Sequence, residues 1–125
     1  LTGVPAGHAQ EPETLKSIIS NQIEAFRKND GVTAFGFASL KLRSIFQSPE
    51  RFMELVRRQY APVYRPDKFR FGQTSLETAG RPAQIVDIVD QQGQSWRAVY
   101  IFEQHPDGSW RIAGVHLEKL PGSNV

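Results

Sequence analysis

Two runs rich in aromatic and β-branched residues flank a turn signal in residues 94–117, which read QSWRAVYIFEQHPDGSWRIAGVHL. Between them lies His105-Pro106-Asp107-Gly108, where Pro can set the entry angle of a turn and Gly can adopt the positive φ that hairpin turns require. Strand propensity on both sides of such a turn predicts a β-hairpin.

Strand patterns recur in the second half of the chain. Four strands are predicted, at residues 69–78, 83–90, 95–104 and 110–119. Gly80-Arg81-Pro82, Gln92-Gly93 and the Pro-Asp-Gly turn separate them. Because each connection is short, an antiparallel meander is favoured over parallel crossovers.

Apolar periodicity predicts three helices before the strands. The first begins near Glu11-Pro12, a helix-start signal, and carries a stripe at spacings of three and four: Leu15, Ile18, Ile19, Ile23 and Phe26. Gln22 interrupts the stripe, and we expect it at the edge of the buried face. A position facing a cavity is the alternative.

Capping signals mark the later helices. Asp30 is expected to cap a second helix, and Ser48-Pro49-Glu50 predicts the start of a third. Residues 39–47 are apolar without a clean period, which predicts a short irregular helix. Pro62 and Pro66 are expected to forbid a helix and to mark the switch to strands.

The length limits the number of domains. A chain of 125 residues that is 39% hydrophobic is long enough for one core but short for two ordinary domains. We expect one α+β domain over residues 12–119 and a C-terminal tail at 120–125. Residues 1–11 are expected to be a disordered tail or a signal-peptide remnant, since Gly7 and Ala9 suit a signal peptidase cut before Gln10. The remnant predicts a periplasmic or secreted protein, and a plain tail leaves a cytoplasmic one open.

Several functional classes find no support in the composition. The absence of cysteine excludes disulfides, thiol catalysis and thiolate metal sites. His8, His105 and His116 lack metal-ligand spacing, and there is no phosphate-binding glycine loop, so neither a metal nor a cofactor is expected. With 15 basic and 13 acidic residues the net charge is only +2, so we expect no nucleic-acid partner. We also expect no membrane span, because no apolar run is long enough.

The hairpin register decides which side chains share a face of the sheet. If the Pro-Asp-Gly turn closes an even-length hairpin, one face carries Arg97, Val99, Ile101, Glu103, Trp110, Ile112, Gly114 and His116. A two-residue turn at Gln92-Gly93 would add Val86 and Ile88 to this face and leave Asp87 on the other. A bulge at either turn would exchange these assignments.

Both faces of the predicted sheet are apolar at the centre. An antiparallel sheet with one solvated face normally alternates more cleanly between apolar and polar residues. Since the helices can cover only one face, we expect a homodimer that buries the other one.

Helices followed by a meander that ends in Asp107-Gly108-Ser109-Trp110-Arg111-Ile112 resemble the nuclear transport factor two-like, or SnoaL-like, cone of the cystatin-like α+β class. The resemblance spans roughly residues 14–117, and a D-G-x-W-R-I turn and final strand are common in that superfamily. Residues 25–39 (AFRKNDGVTAFGFAS) and 56–66 (VRRQYAPVYRP) are more narrowly similar to the bacterial domain of unknown function 4864 family. The resemblance implies three N-terminal helices packed on a curved four-stranded antiparallel meander. It implies no single activity, because superfamily members include isomerases, dehydratases, cyclases and non-catalytic binding domains.

The same resemblance implies a pocket between the concave sheet face and the helices, with Trp110 pointing inward. On the register above, Arg97 and His116 share that face, and Tyr60 or Tyr64 approaches from the helix-to-strand segment. These five residues form the predicted ligand pocket. An imidazole can move a proton near neutral pH, Arg97 can hold an anion, and a phenol can donate to a developing oxyanion. A structural His and a sheet-surface Arg are the alternative.

Three further residues have simpler explanations than catalysis. Asp87 lies in the apolar run IVDIVD, where burial could raise its pKa enough for a general base, but we expect a dimer contact or a solvent-facing position. Asp30 is expected to cap a helix. Tyr100 is expected to lie in the core.

We therefore expect a small exported domain that binds an apolar or amphipathic small molecule, or a protein partner, without covalent chemistry. The alternative is a cofactor-independent isomerase, dehydratase or cyclase that uses His116 with Arg97, Tyr60 or Tyr64. The sequence leaves open whether the protein is an enzyme.

Overall fold

The computed structural model describes residues 6–76 and 81–121, with side chains from residue 12 onward. Within this part the protein is α+β, with five helices and a four-stranded antiparallel sheet in the order β1-β2-β3-β4. The helices are α1 (Ala6–Arg27), α2 (Gly31–Gly36), α3 (Leu40–Phe46), α4 (Pro49–Gln59) and α5 (Ala61–Tyr64). The strands are β1 (Lys68–Ser75), β2 (Ala83–Val89), β3 (Ser95–Gln104) and β4 (Trp110–Lys119). The α+β class and the antiparallel meander are confirmed.

The helices differ from the prediction in number and in bounds. The expected irregular helix is α3, and the one-turn helix α5 forms where Pro62 and Pro66 were expected to forbid it. That expectation is wrong because Pro62 lies in the first turn of α5, where its missing N–H is not needed. Helix α1 begins at Ala6, so Pro12 lies inside it and does not mark its start.

Side-chain caps fix where three helices begin. Asp30 accepts hydrogen bonds from the Thr33 amide at 3.2 Å and from the Thr33 hydroxyl at 2.7 Å, and these bonds lower the pKa of Asp30. The hydroxyl oxygens of Ser39 and Ser48 each accept a backbone N–H, from Leu42 and Arg51 respectively, at 3.2 Å. The predicted capping by Asp30 and the predicted helix start at Ser48 are therefore confirmed.

One face of the sheet packs against the helices, and we call it the inner face. Its central side chains are less than 5% exposed: Val86, Ile88, Ala98, Tyr100, Phe102 and Ile112. They meet the apolar stripe of α1, in which Leu15, Ile19, Ile23 and Phe26 are at most 1% exposed. Each buried Val, Leu, Ile or Phe side chain of this set stabilises the fold by about 1.5–3 kcal/mol relative to an exposed position.

Both turns of the β2-β3-β4 meander contain three residues and end in a glycine with positive φ. Gly93 has φ 85° and Gly108 has φ 89°. Hydrogen bonds from Gly93 N to Asp90 O at 3.0 Å and from Gly108 N to His105 O at 2.8 Å close the turns. The expected two-residue turn at Gln92-Gly93 is wrong, and Asp87 consequently pairs with Arg97 and shares its face.

A β-bulge lies in the β3-β4 pair between two register segments. Ile101 pairs with Gly114, whereas Phe102 pairs with Ile112, so Ala113 is the extra residue. The predicted grouping of Trp110 and Ile112 with Arg97 is therefore wrong: Trp110 pairs with Gln104, and Ile112 with the core residue Phe102. Arg97 and His116 remain together, on the face that points away from the helices, which we call the outer face.

The predicted division of the chain at residues 11 and 119 stays a prediction, since residues 1–5 and 122–125 lie outside the described part. The end of the predicted first strand, at residues 77–78, also lies outside it. No helix of residues 6–76 and 81–121 is both long and apolar enough to cross a membrane.

The Asp90 carboxylate organises the β2-β3 turn, and its ionisation should stabilise the fold. It accepts the amides of Gln92 and Gln94 and the indole N–H of Trp96, all at 2.9 Å. Partial burial acts to raise the pKa of Asp90, but the three hydrogen bonds outweigh it and the pKa lies below the ordinary value. A lowered folded-state pKa stabilises the protein above the unfolded-state pKa, near pH 4, and this stabilisation is lost as the pH falls through the folded-state pKa.

We predict that Asp90→Asn lowers the free energy of unfolding at neutral pH by about 1–2 kcal/mol, because the amide weakens charge-assisted hydrogen bonds. Urea denaturation of the two proteins between pH 7 and pH 3 should show this difference shrinking below about pH 4. Asp67→Asn, at an exposed residue, is the control. A difference that stays constant over the whole pH range would contradict this role for Asp90.

Candidate functional site

A cavity of about 200 Å³ lies between the helices and residues 112–115 of β4. Thirteen residues from five segments line it: Gln22, Phe26, Ala38, Leu42, Phe46, Phe52, Leu55, Val56, Tyr60, Val63, Ile112, Gly114 and Val115. None of these side chains carries a formal charge at neutral pH, and only Gln22 and Tyr60 have polar side-chain groups. A mostly apolar hollow with a few polar groups is the usual form of a small-molecule site.

Helix α3 forms one wall of the cavity and is anchored to the edge of β4. The Ser39 amide donates to Ile112 O at 2.9 Å, and the Ile112 amide donates to Phe37 O at 2.8 Å. From this anchor, Leu42 and Phe46 lie one helical turn apart and both line the cavity. The helix itself has no fully buried residue. It therefore covers the cavity while remaining the least buried of the cavity walls formed by α1, α3 and α4.

Gln22 supplies a fixed polar group to the cavity. Its side chain is 3% exposed, and Nε2 donates to the Ala34 carbonyl at 3.1 Å. Since the nitrogen is committed to α2, the oxygen of the same amide is the acceptor that a ligand can use. The expectation that Gln22 lies at an edge of the α1 stripe is wrong, and the alternative position facing a cavity is the one observed.

The five residues of the predicted pocket do not lie together in the structure. Tyr60 lines the cavity, and it also lines an open groove along β4 together with His116 and Arg58. His116 itself is exposed and pairs with Val99 on the outer face. The Tyr64 hydroxyl donates to Asn29 Oδ1 at 3.1 Å, away from the cavity lining.

The other two residues of the predicted set are also outside the cavity lining. Arg97 lies on the outer face, where its Nε donates to Asp87 Oδ1 at 3.0 Å. Trp110 packs against the core cluster at the far end of the sheet. The structure thus brings Tyr60 and His116 to one groove, and separates Arg97, Trp110 and Tyr64 from it.

Asp87 and Tyr100 fit the simpler explanations in part. Asp87 is on the outer face, as an ion-pair partner of Arg97. Tyr100 is fully buried in the core as expected, but its hydroxyl has no hydrogen-bond partner in the described part of the chain. Burial raises the pKa of this phenol, so the hydroxyl stays neutral.

Sequence reasoning missed most of the cavity lining, including the residues of α3 and α4. A signal was present: Leu42/Phe46 and Phe52/Val56 repeat at a spacing of four on short helices. In the described residues, no group of three or more His, Asp or Glu side chains is arranged to hold a metal ion.

The described residues thus form an α+β domain with an apolar hollow between the helices and the sheet. The chain matches the family described as domain of unknown function (DUF4864) over residues 8–125, and it belongs to that family. The narrower of the two resemblances is therefore confirmed. A search of curated proteins found no match.

Tyr100 and Tyr64 give a direct test of the described contacts. In the described residues the Tyr100 hydroxyl has no hydrogen-bond partner, whereas the Tyr64 hydroxyl donates to Asn29. We predict that Tyr100→Phe raises the free energy of unfolding by about 1 kcal/mol, because it removes a buried hydroxyl that lacks a partner. Tyr64→Phe is the matched control and should lower it by about 0.5–1 kcal/mol, because it removes the bond to Asn29. Chemical denaturation measures both values. A destabilised Tyr100→Phe protein would show that the Tyr100 hydroxyl has a partner.

Proposed function

We propose that this protein is a binding module that holds a small apolar or amphipathic molecule in the cavity between its helices and sheet, without covalent chemistry. The observation that carries the proposal is the lining: apolar side chains around two polar groups, with no Asp, Glu, His, Lys or Arg among them. Acid-base catalysis in the cavity would have to rely on the Tyr60 phenol and the Gln22 amide. Binding needs neither to ionise.

The size of the cavity limits the ligand. An apolar protein cavity of about 150 Å³ holds a benzene molecule. The present cavity, of about 200 Å³, therefore suits one aromatic ring with a short substituent, or a short branched chain. The Gln22 oxygen and the Tyr60 hydroxyl would select a ligand with one hydrogen-bonding end.

A second candidate function uses the groove along β4. Tyr60 and His116 both line it, with Arg58 beside them, so a phenol, an imidazole and a guanidinium share one open surface. These are groups that a cofactor-independent isomerase, dehydratase or cyclase can use. Arg97, the anion-binding residue of the original hypothesis, is on the outer face and paired with Asp87.

We further propose that the fold is a SnoaL-like cone, that the protein is exported, and that it forms a homodimer through the outer face. The helical cover on one sheet face and the D-G-S-W-R-I sequence at the last turn support the first proposal. Gly7 and Ala9 before Gln10 support export to the periplasm or the medium. Mass spectrometry of the protein from its native host tests export: a mature chain that still contains residues N-terminal to Gln10 would contradict cleavage there.

Cavity binding is tested with two tryptophan variants of α3. Leu42 lines the cavity, whereas Leu40, two residues away, is 60% exposed. We predict that indole, benzene or hexanol raises the melting temperature of the wild type and of Leu40→Trp. Leu42→Trp fills the hollow and should weaken binding of the same probe at least about tenfold. This corresponds to a loss of about 1.4 kcal/mol in binding free energy.

The readout is thermal shift followed by calorimetric titration. Equal responses of the two tryptophan variants, or no response of the wild type to any probe, would count against cavity binding. His116→Ala serves as a further control, because His116 is not part of the cavity lining. If this variant abolishes turnover of a bound molecule, the groove is catalytic and the binding-only proposal fails.

A further inference from the structure

The outer face carries a row of four charged residues of alternating sign, one from each strand. Arg70 pairs with Asp87, Asp87 with Arg97, and Arg97 with Glu118. Directly paired residues of an antiparallel sheet point to the same face. Read from β1 to β4, the row is therefore positive, negative, positive, negative.

On β2 and β3 the next two rows are apolar, whereas His116 and Ser75 extend them on β4 and β1. Ile85 pairs with Val99, and Ala83 pairs with Ile101, all four half-buried. Beyond them a second set of charges begins: Arg81 lies 3.9 Å from Glu103, and Glu103 pairs with Arg111. The outer face is thus an apolar centre on β2 and β3 bounded by charges at both ends.

When the order of four charges that alternate in sign is reversed, each charge lies opposite a charge of the other sign. A two-fold axis parallel to the strands and midway between β2 and β3 reverses the strand order without moving any row along the strands. It places Arg70 opposite Glu118 of the second copy, and Asp87 opposite its Arg97. At the other end it places Arg81 opposite Glu103, and in the centre it places Ile85 opposite Val99.

We propose that a second copy of this chain covers the outer face in this one register, with β2 of each copy over β3 of the other. The inference rests on the self-association proposed above and specifies its geometry. A two-fold axis perpendicular to the strands and through this charged row would instead place Asp87 on Asp87 and Arg97 on Arg97, which like-charge repulsion disfavours. An isologous interface of this kind closes as a dimer.

The Asp87–Arg97 ion pair has bonding capacity left for a partner. Within the described residues the contact joins Nε to Oδ1, so the terminal guanidinium nitrogens and Oδ2 can bond across the axis. Two sheets packed face to face cross at about 30°. Asp87 and Arg97 lie one row from the apolar centre, so this crossing displaces them by only a few ångströms.

The area of the face approaches that of a standard dimer interface. A strand spacing of about 4.8 Å and a rise of about 3.3 Å per residue give it a flat footprint of roughly 500 Å². The relief of the side chains brings the accessible area toward the roughly 800 Å² per partner that a standard interface buries.

The test exchanges the two charges and measures subunit mixing. The double variant Asp87→Arg/Arg97→Asp keeps the net charge and an ion pair between positions 87 and 97. In the proposed register it also keeps opposite charges facing each other across the two-fold axis of its own homodimer, although it places like charges beside Arg70 and Glu118 within each sheet. Mixed with isotope-labelled wild type, it places like charges opposite each other at both positions. Native mass spectrometry should then show at least about tenfold fewer mixed dimers than a mixture of labelled and unlabelled wild type.

Three outcomes would overturn the proposal: a monomeric wild type at micromolar concentration, a double variant that is folded but monomeric, or mixed dimers at the wild-type level. Val99→Glu is the second variant, and a folded Val99→Glu protein that stays dimeric would also contradict the interface. Thermal shift with indole distinguishes this failure from failure of cavity binding. Val99 is not part of the cavity lining, so a Val99→Glu monomer should still bind the probe.

Discussion

The extra residue at Ala113 determines which side chains of β4 face the helices. The three-residue turn at Pro106-Asp107-Gly108 pairs Ile112 with Phe102 on the inner face. If that register continued without a bulge, Gly114 would pair with Tyr100 and His116 with Ala98, both core positions. The bulge shifts the pairing by one residue, so that Val115 and Leu117 pair with Tyr100 and Ala98 and His116 points outward. The cavity wall formed by Val115 and the position of Glu118 opposite Arg97 on the outer face both depend on this shift.

Buried glutamine side chains donate hydrogen bonds to backbone carbonyls at two other irregular places in the chain. Gln84 is fully buried beside the β1 bulge, where its Nε2 donates to the carbonyls of Gly72 and Ile85 at 2.9 Å and its Oε1 accepts from the Thr74 hydroxyl. Gln22 donates in the same way to the Ala34 carbonyl in α2. An unpaired buried carbonyl is costly, and each amide supplies a donor to backbone carbonyls at these places. The Ala34 carbonyl also accepts the Phe37 amide at 3.3 Å. The oxygen of the Gln22 amide remains beside the cavity. A residue that stabilises the fold is therefore also available to bind a ligand.

Local signals and long-range packing were not equally readable from the sequence. The strands were placed to within a few residues, and the caps at Asp30 and Ser48 were identified, because turn and capping preferences act within four residues. The faces were not, since a Pro-Asp-Gly or Gln-Gly turn is compatible with loops of two or three residues, and one residue reverses every side chain. The separation of Arg97 from Trp110 follows from that single uncertainty. Of the cavity lining, the sequence pointed only to Tyr60 and, as an alternative, to Gln22, because Leu42, Leu55 and Val115 meet only after the helices have packed on the sheet.

The layout of the sheet lets the two proposed surfaces act with little energetic coupling. The cavity is lined by helices and by the β4 end of the sheet, whereas the proposed two-fold axis runs between β2 and β3 on the opposite face. Strand β3 is the shared element, and its inner residues Ala98, Tyr100 and Phe102 are fully buried. Close-packed interiors have few empty spaces and low compressibility, so a ligand that fills an existing hollow without moving β3 does no work on the outer face. Coupling would require a displacement of β3 itself, for which the packed row Gln84–Tyr100–Val115 leaves no room.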